Sequence, residues 1–297
     1  MSSKKDYVCC FGEILWDVLP TGKMPGGAPM NVGFHLKNLG VKAAFISKVG
    51  TDDLGREIKE LVVEKNCPVQ WIQLDRKYPT GTVLVNLSNP NDVQYEIVKP
   101  VAWDFIEATQ DSLDISRDSF AFVFGSLACR SERSKETLFT LLSQTTGLKI
   151  FDVNLRAPHF SKDLICELLR KADIVKMNKE ELETISSWLG LENSIEQKAD
   201  DLKKKFGLDM VIVTKGGDGA TLLNEKGIFN SKVYKVEVKD TIGSGDAFLA
   251  GIIKNLLLKT PVDHMLKYAC ALGSLVAMHQ GANPPIKESE IFELMLQ

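Results

Sequence analysis

The sequence predicts an α/β protein: a three-layer α/β/α fold with a central, mostly parallel sheet and a small β-sheet lid. Three observations carry this expectation. Short apolar runs alternate with stretches of helical periodicity along most of the 297 residues, as right-handed β-α-β crossovers on a parallel sheet require. One region, Thr80 to Val101, breaks that rhythm with two consecutive strand patterns, and the chain after Asp246 is almost wholly helical in pattern.

The first apolar run, YVCCF from Tyr7 to Phe11, is short and unbroken, as in a strand buried on both faces. Glu13 to Leu19 reads as a strand-like segment ended by a Pro20-Thr21-Gly22 turn. A helix is expected over Met30 to Leu39, then a strand over Ala43 to Val49 and a helix over Leu54 to Lys65. Thr80 to Val101 holds GTVLVNL and VQYEIV joined by SNPND, whose Asn, Pro and Asp are turn formers, so a β-hairpin is the economical reading. With the segment from Glu13 it can form a separate sheet that covers a pocket; the alternative is an edge extension of the main sheet. Strands at Phe120 to Gly125, Lys149 to Val153, Ile174 to Met177 and Met210 to Thr214 then alternate with helices at Ser134 to Thr145, Lys162 to Arg170, Glu180 to Leu189 and Ser194 to Phe206. A last strand, Val233 to Val238, leads into a glycine-rich loop and a helix that starts near Asp246. There is no internal repeat. We read one domain over residues 1–297, with lid strands inserted at about 13–24 and 80–101.

Composition narrows the function classes. The chain carries 36 basic and 39 acidic side chains, a formal net charge of -3, and no long basic run, which removes the electrostatic footprint of a nucleic-acid binder. The apolar run near the N-terminus is broken by Gly12 and Glu13, too early for a signal peptide, and no long uncharged apolar stretch occurs, so the expected compartment is the cytoplasm. The 6 cysteines are scattered without a C-x-x-C or zinc-ligand spacing and read as small buried hydrophobes.

Two stretches carry chemistry. In VKDTIGSGDAFLAG, from Val238 to Gly251, small residues at Gly243, Ser244 and Gly245 precede a helix, and the unpaired N–H groups of a helix start reached through glycine suit a phosphate. A carboxylate at that place, Asp246, would oppose a phosphate unless it orients a hydroxyl and accepts its proton; the plainer reading is a helix N-cap. In PGGAPMNVGFHLKNLG, from Pro25 to Gly40, Gly26 and Gly27 allow close backbone approach to a ligand, and Asn31 offers both donor and acceptor, as a polyhydroxylated ligand requires. Asp17, upstream, can accept from sugar hydroxyls or stand as an exposed loop acid.

The chain resembles the ribokinase (PfkB) carbohydrate kinases, and within them the bacterial fructokinases. The resemblance rests on GEILWD (Gly12 to Asp17), GGAPMN (Gly26 to Asn31), SKVGTDDLG (Ser47 to Gly55), PTGTVLV (Pro79 to Val85), DVNLR (Asp152 to Arg156), NKEE (Asn178 to Glu181), TKGGDG (Thr214 to Gly219) and DTIGSGD (Asp240 to Asp246), in that order. It implies a ribokinase-like fold and an ATP-dependent kinase for D-fructose acting at the 6-hydroxyl. Asp246 falls at the family's catalytic base, and Gly243, Ser244 and Gly245 at the amides that stabilise the transferring phosphoryl group. Asp17, Gly27, Asn31 and Arg156 match sugar-binding positions; Asn178, Thr214, Gly216 and Gly219 match nucleotide-binding ones. Asn178 and Glu181 are implied to organise Mg2+ indirectly, and Asp240 is the candidate for K+. Two positions depart from the pattern: Pro285 stands near a place where cation-activated members carry a small hydroxyl residue, and Trp16 is large for the residue beside Asp17. The rival readings are a 2-keto-3-deoxygluconate kinase using Arg130 or Arg156 to pair a carboxylate, a nucleoside kinase, and a sugar-sensing protein without turnover. The expected partners are a sugar and ATP, with no nucleic acid and no membrane, and assembly as a homodimer through the lid is one expectation.

Overall fold

The computed structural model describes residues 6–19, 22–86 and 94–297. From the N-terminus the chain forms β1 (Tyr7–Phe11), β2 (Leu15–Leu19), β3 (Gly22–Gly26), α1 (Ala28–Asn38), β4 (Lys42–Gly50), α2 (Asp53–Glu64), β5 (Ile72–Asp75), β6 (Gly81–Asn86) and β7 (Gln94–Ile97). It continues with α3 (Gln110–Arg117), β8 (Ala121–Gly125), α4 (Glu132–Gln144), β9 (Leu148–Asp152), α5 (Lys162–Leu169), β10 (Ile174–Asn178), α6 (Lys179–Leu189), α7 (Ile195–Phe206) and β11 (Met210–Thr214). β12 (Ala220–Asn224), β13 (Gly227–Ser231), α8 (Ser244–Leu258), α9 (Val262–Ala277) and α10 (Glu288–Met295) complete it.

The main sheet runs β13-β12-β11-β10-β9-β8-β1-β4-β5. Its pairings are parallel from β5 to β11 and antiparallel only at β12 and β13. Alternate residues of each strand face opposite layers. Val8 and Cys10 join Phe34, Ile58, Phe248, Leu272 and Leu294 of α1, α2, α8, α9 and α10. Cys9 and Phe11 join Ile115, Leu138, Leu168, Ile185 and Leu202 of α3 to α7. This is the expected three-layer arrangement. All six cysteines are free and buried, in agreement with their reading as small core side chains. Among the described residues no helix is long and apolar enough to cross a membrane.

The strand order reverses at β1, where β4 lies on one side and β8 on the other. Ligands of open α/β sheets bind at the carboxyl ends of the strands beside such a reversal. The segments that follow those ends here are Gly12-Glu13 after β1, Ser126 after β8, Val153 to Arg156 after β9 and α6 after β10.

The lid is a separate sheet, ordered β3-β2-β6-β7, and not an edge extension. β6 and β7 pair antiparallel with Val83 opposite Ile97, as the hairpin reading expects; the SNPND connection and Pro20-Thr21 lie outside the described residues. β2 pairs parallel with β6 and antiparallel with β3. β3, GKMPG, carries two glycines and a proline that conceal it in the sequence.

One expected strand is corrected. Residues 232–238 are not a strand. The alternation there has a different use: Tyr234 and Val236 pack against the core formed with α9, while Lys239 and Asp240 donate backbone N–H groups to Ala277 O at 2.8 and 3.2 Å. A period of two is satisfied by packing alone, without a ladder partner. The expected helices with stated bounds fall within about two residues of them, and α3 was not expected.

Candidate active site

The site grows from α8. This helix is apolar around most of its circumference, with Ala247 to Asn255 all buried, so it is held as an interior element between α1 and α9. Its N-terminus points back toward the sheet. Gly243, at the cap, has φ 78°, and a Cβ there would stand 2.5 Å from Ala282 O, so only glycine fits. No side chain caps this end, which leaves first-turn N–H groups for an anion. Of the three residues expected to form the anion hole, Ser244 already donates its N–H to Thr241 O at 3.2 Å. Its hydroxyl oxygen is buried without a partner.

Asp246 lies in the first turn of α8, and its Oδ2 accepts from Asn31 Nδ2 at 2.8 Å. Burial pushes its carboxyl up to about 6, helped by Asp152 and opposed by Lys176, the Asn31 bond and Arg156. Beneath it lies a group the sequence reading missed. Lys176, inside buried β10, sets its Nζ 3.0 Å from Asp152 Oδ1 and 3.1 Å from where a Cβ on Gly245 would stand. Burial disfavours the ammonium, yet Asp152, Asp246 and Glu181 outweigh it and hold Lys176 charged. A lysine inside the apolar strand IVKMN was the available signal.

Asp152 ends β9 with its Oδ2 buried and unpartnered. Asn178 and Glu181 form a reciprocal capping box at the start of α6: Asn178 Oδ1 accepts from Glu181 N, and Glu181 Oε2 from Asn178 N, both at 2.8 Å. Glu181 Oε1 accepts from Leu155 N at 2.9 Å, tying the DVNLR loop to α6. These two residues therefore cap α6, and Glu181 is buried, which raises its carboxyl. The β10–β11 register sets Asn178 beside Thr214, so the loop with Gly216 and Gly219 adjoins the capping box.

The other side of the candidate site is built around the small sheet. Asp17 on β2 is partly buried, and its carboxyl rises to about 6 through burial, with Arg156 opposing. Cross-strand register puts Asp17, Met24 and Val83 in line, so they share one lid face. Trp16 occupies the other face, donating Nε1–H to Leu54 O at 3.0 Å; its bulk therefore turns away from the Asp17 side. Gly27 has φ 107°, and a Cβ on it would stand 2.3 Å from Glu13 O. Glu13, absent from the expected site, is buried with Oε2 unpartnered, and burial raises its carboxyl to about 7 with Arg156 opposing and Asp246 adding. Arg156 is exposed, bonded by Nη1 to Leu155 O at 3.1 Å, and its charge acts on Glu13, Asp17 and Asp246 alike.

Two other candidates have different tasks. Arg130 grips Asp104 through Nε at 2.6 Å and Nη2 at 2.9 Å, bonds Val98 O at 2.7 Å and is buried against Trp103. It is a structural clamp, with no guanidinium edge free for a substrate carboxylate. Asp240 accepts from Ile242 N and Gly281 N, each at 3.0 Å, and so ties the loop before α8 to the loop after α9.

Residues 5–289 match the pfkB family of carbohydrate kinases. The chain is 30% identical to aminoimidazole riboside kinase of Salmonella typhimurium, over 88% of this chain and 84% of that protein. It is 29% identical to a fructokinase of Escherichia coli, over 86% of this chain and 85% of that one. A structure of fructokinase with bound ATP from Xylella fastidiosa superposes with a TM-score of 0.88 at 21% identity, covering 98% of both chains. A basic group and a carboxylate converge on an uncapped helix start at a sheet reversal, and the family match spans nearly the whole chain: this protein belongs to the pfkB carbohydrate kinases and is a sugar-phosphorylating enzyme.

Proposed function

We propose that this sugar kinase transfers the γ-phosphoryl group of ATP to the 6-hydroxyl of D-fructose, with Asp246 as the general base. The observation that carries the choice of a neutral sugar is the charge of the pocket. Three carboxylates, Glu13, Asp17 and Asp246, lie near two cations, Arg156 and a Lys176 already paired with Asp152, and Arg130 is committed to Asp104. An acid sugar would meet net repulsion there, whereas hydroxyls can donate to each carboxylate.

In this reading the sugar lies between the lid and α8, with Asp17 and Asn31 bonding its hydroxyls and Gly27 admitting it close to the backbone. Asp246 Oδ2 is occupied by Asn31, so Oδ1 accepts the proton of the attacking hydroxyl. Negative charge growing on the phosphoryl oxygens faces the Gly243-Ser244-Gly245 amides and the Lys176 ammonium. The triphosphate chain extends past Asn178 to the loop of Thr214, Gly216 and Gly219. Mg2+ fits beside this path, because Asp152 offers a free buried carboxylate oxygen and the Asn178-Glu181 box holds further negative charge near it; when bound it neutralises phosphate charge. For K+ the donor set is weaker: both Asp240 oxygens already accept backbone N–H groups, and Pro285 brings no side-chain oxygen. Closure of the lid would exclude water from the reacting groups.

The test is ADP release with fructose, ribose, 2-keto-3-deoxygluconate, adenosine and aminoimidazole riboside, with the phosphorylated carbon located by NMR. Fructose is expected to have the highest kcat/KM and fructose 6-phosphate to be the product. A tenfold preference for the acid sugar would replace this reading, and a nucleoside preference would move the enzyme toward the aminoimidazole riboside kinase of Salmonella typhimurium.

A further inference from the structure

Asn283 lies in the loop between α9 and α10 that covers the start of α8. That loop is fixed before Asn283 is reached: the Ala282 backbone fills the space above Gly243, and His35 Nε2 meets Ala282 O at 2.8 Å. Asn283 Nδ2 then donates to Asn31 Oδ1 at 2.7 Å, and Asn31 Nδ2 donates to Asp246 Oδ2 at 2.8 Å.

This chain of bonds has one polarity. An ionised carboxylate only accepts, so Asn31 must turn its NH2 toward Asp246, and its carbonyl then needs a donor. Among the described residues Asn283 supplies the donor that meets Asn31 Oδ1. Asn283 Oδ1 is buried without a partner among the described residues, so the bond to Asn31 is what gives its amide a preferred sense. Without Asn283 the Asn31 carboxamide keeps one anchor instead of two, and can swing so that its NH2 leaves Asp246 Oδ2.

We propose that Asn283 is a positioning residue for phosphoryl transfer: through Asn31 it determines which oxygen of Asp246 stays free to take the proton of the sugar hydroxyl. This rests on Asp246 being the base, as proposed above, and not on which sugar is bound. The charged groups acting on Asp246 from neighbouring elements are Asp152, Lys176, Glu13 and Arg156, and a change at Asn283 alters none of them.

Asn283→Leu keeps the volume and removes the donor; Asn283→Asp keeps the shape and substitutes an acceptor. In Asn283→Leu, kcat is expected to fall roughly tenfold to a hundredfold, the scale of a misplaced reacting group, with the KM for ATP within about twofold. The acid limb of the kcat/KM profile should move to higher pH, because the lost Asn31 bond favours ionised Asp246. Asn283→Asp should be more severe still. In an Asn31→Leu background, Asn283→Leu should have no further effect, since its action runs through Asn31. A readout without substrate is the side-chain amide signal of Asn31 in 15N-asparagine-labelled protein, assigned by its loss in Asn31→Leu; it should move in both Asn283 variants. If the wild type phosphorylated no sugar, the proposed function would fail and the amide spectrum alone would decide. An unmoved Asn31 signal, a wild-type kcat in a folded Asn283 variant, or the same loss in the Asn31→Leu background would each overturn the proposal.

Discussion

At the start of α8 the proposed catalytic groups sit on elements packed from several sides: Asp246 on a helix buried between α1 and α9, Lys176 and Asp152 on adjacent strands of the main sheet. Asp17, at the other end of the site, sits on a four-stranded sheet, in which Met24 and Leu84 are still exposed by 39% and 43%. The α8 end is thus held by packing and ion pairs from several sides, whereas the small sheet packs through one face, with Trp16 buried, and leaves Met24 and Leu84 on it partly exposed. Chemistry common to all sugar kinases needs fixed geometry, whereas a sugar must enter and leave. The contrast predicts that changes at the first end cost catalysis and alter stability, while changes at the second cost binding alone.

The largest effect is expected at the base. Asp246→Asn should lower kcat by on the order of 10²- to 10⁴-fold with ATP binding retained, the range for loss of a general base. The same change should raise the melting temperature of the unliganded protein at pH 8. The sign follows from linkage: a carboxyl held at about 6 when folded, above its ordinary value, stabilises the fold below pH 4 and loses that contribution as pH rises through 6. Scanning calorimetry with single-turnover kinetics reads both, and a lower melting temperature would show that Asp246 anchors α8 through its charge.

Asp17→Ala should cost about 2 to 4 kcal/mol in kcat/KM for the sugar, the value of bonds to a charged acceptor, with the melting temperature of the unliganded protein at pH 8 unlowered or slightly raised, since this carboxyl too is held at about 6. A fall in stability comparable to that of a core change would erase the distinction between the two ends. Lys176→Met tests the opposite case. It strands Asp152 as a buried unpaired charge, so about 3 to 5 kcal/mol of stability should be lost along with turnover. Full stability in that variant would mean that Asp152 is neutral or solvated.

The pH dependence joins the two ends. Glu13, Asp17 and Asp246 are all raised, to about 7, 6 and 6. The unliganded fold should therefore lose stability between pH 4 and 7, while kcat/KM rises over the upper part of the same window as Asp246 ionises. Substrate that donates to these carboxylates should flatten the stability curve; thermal melts with and without sugar measure it.

How much of this was legible in the sequence follows the same divide. The α8 loop was legible because its geometry is local: glycines, a small residue and a carboxylate within one turn. The parallel strands β1, β4, β8, β9, β10 and β11 were legible as short apolar runs, while β5, β12 and β13, at or next to the sheet edges, were not expected. β3 was not, because Gly22, Pro25 and Gly26 erase strand propensity while the pairing with β2 supplies the ladder. Glu13 and Lys176 escaped for another reason: their importance comes from burial beside charges distant in the chain. Arg130 looked like a free cation until its partner Asp104, 26 residues upstream, was in view.

The smallest expected effect separates two tasks of one residue. Glu181 both closes the capping box and contributes charge beside Asp152, and Glu181→Gln keeps the shape while removing the charge. The glutamine carbonyl can still accept from Leu155 N, but its NH2 then faces the Asn178 N–H, two donors without an acceptor between them. Losing one capping bond should cost about 1 kcal/mol of stability. If the charge also organises Mg2+, the Mg2+ concentration for half-maximal rate should rise several-fold, more than the KM for sugar. The two can be told apart: the stability loss is present without nucleotide, and the Mg2+ shift appears only with it. An unchanged Mg2+ dependence together with the expected stability loss would leave Glu181 as a cap that ties the DVNLR loop to α6.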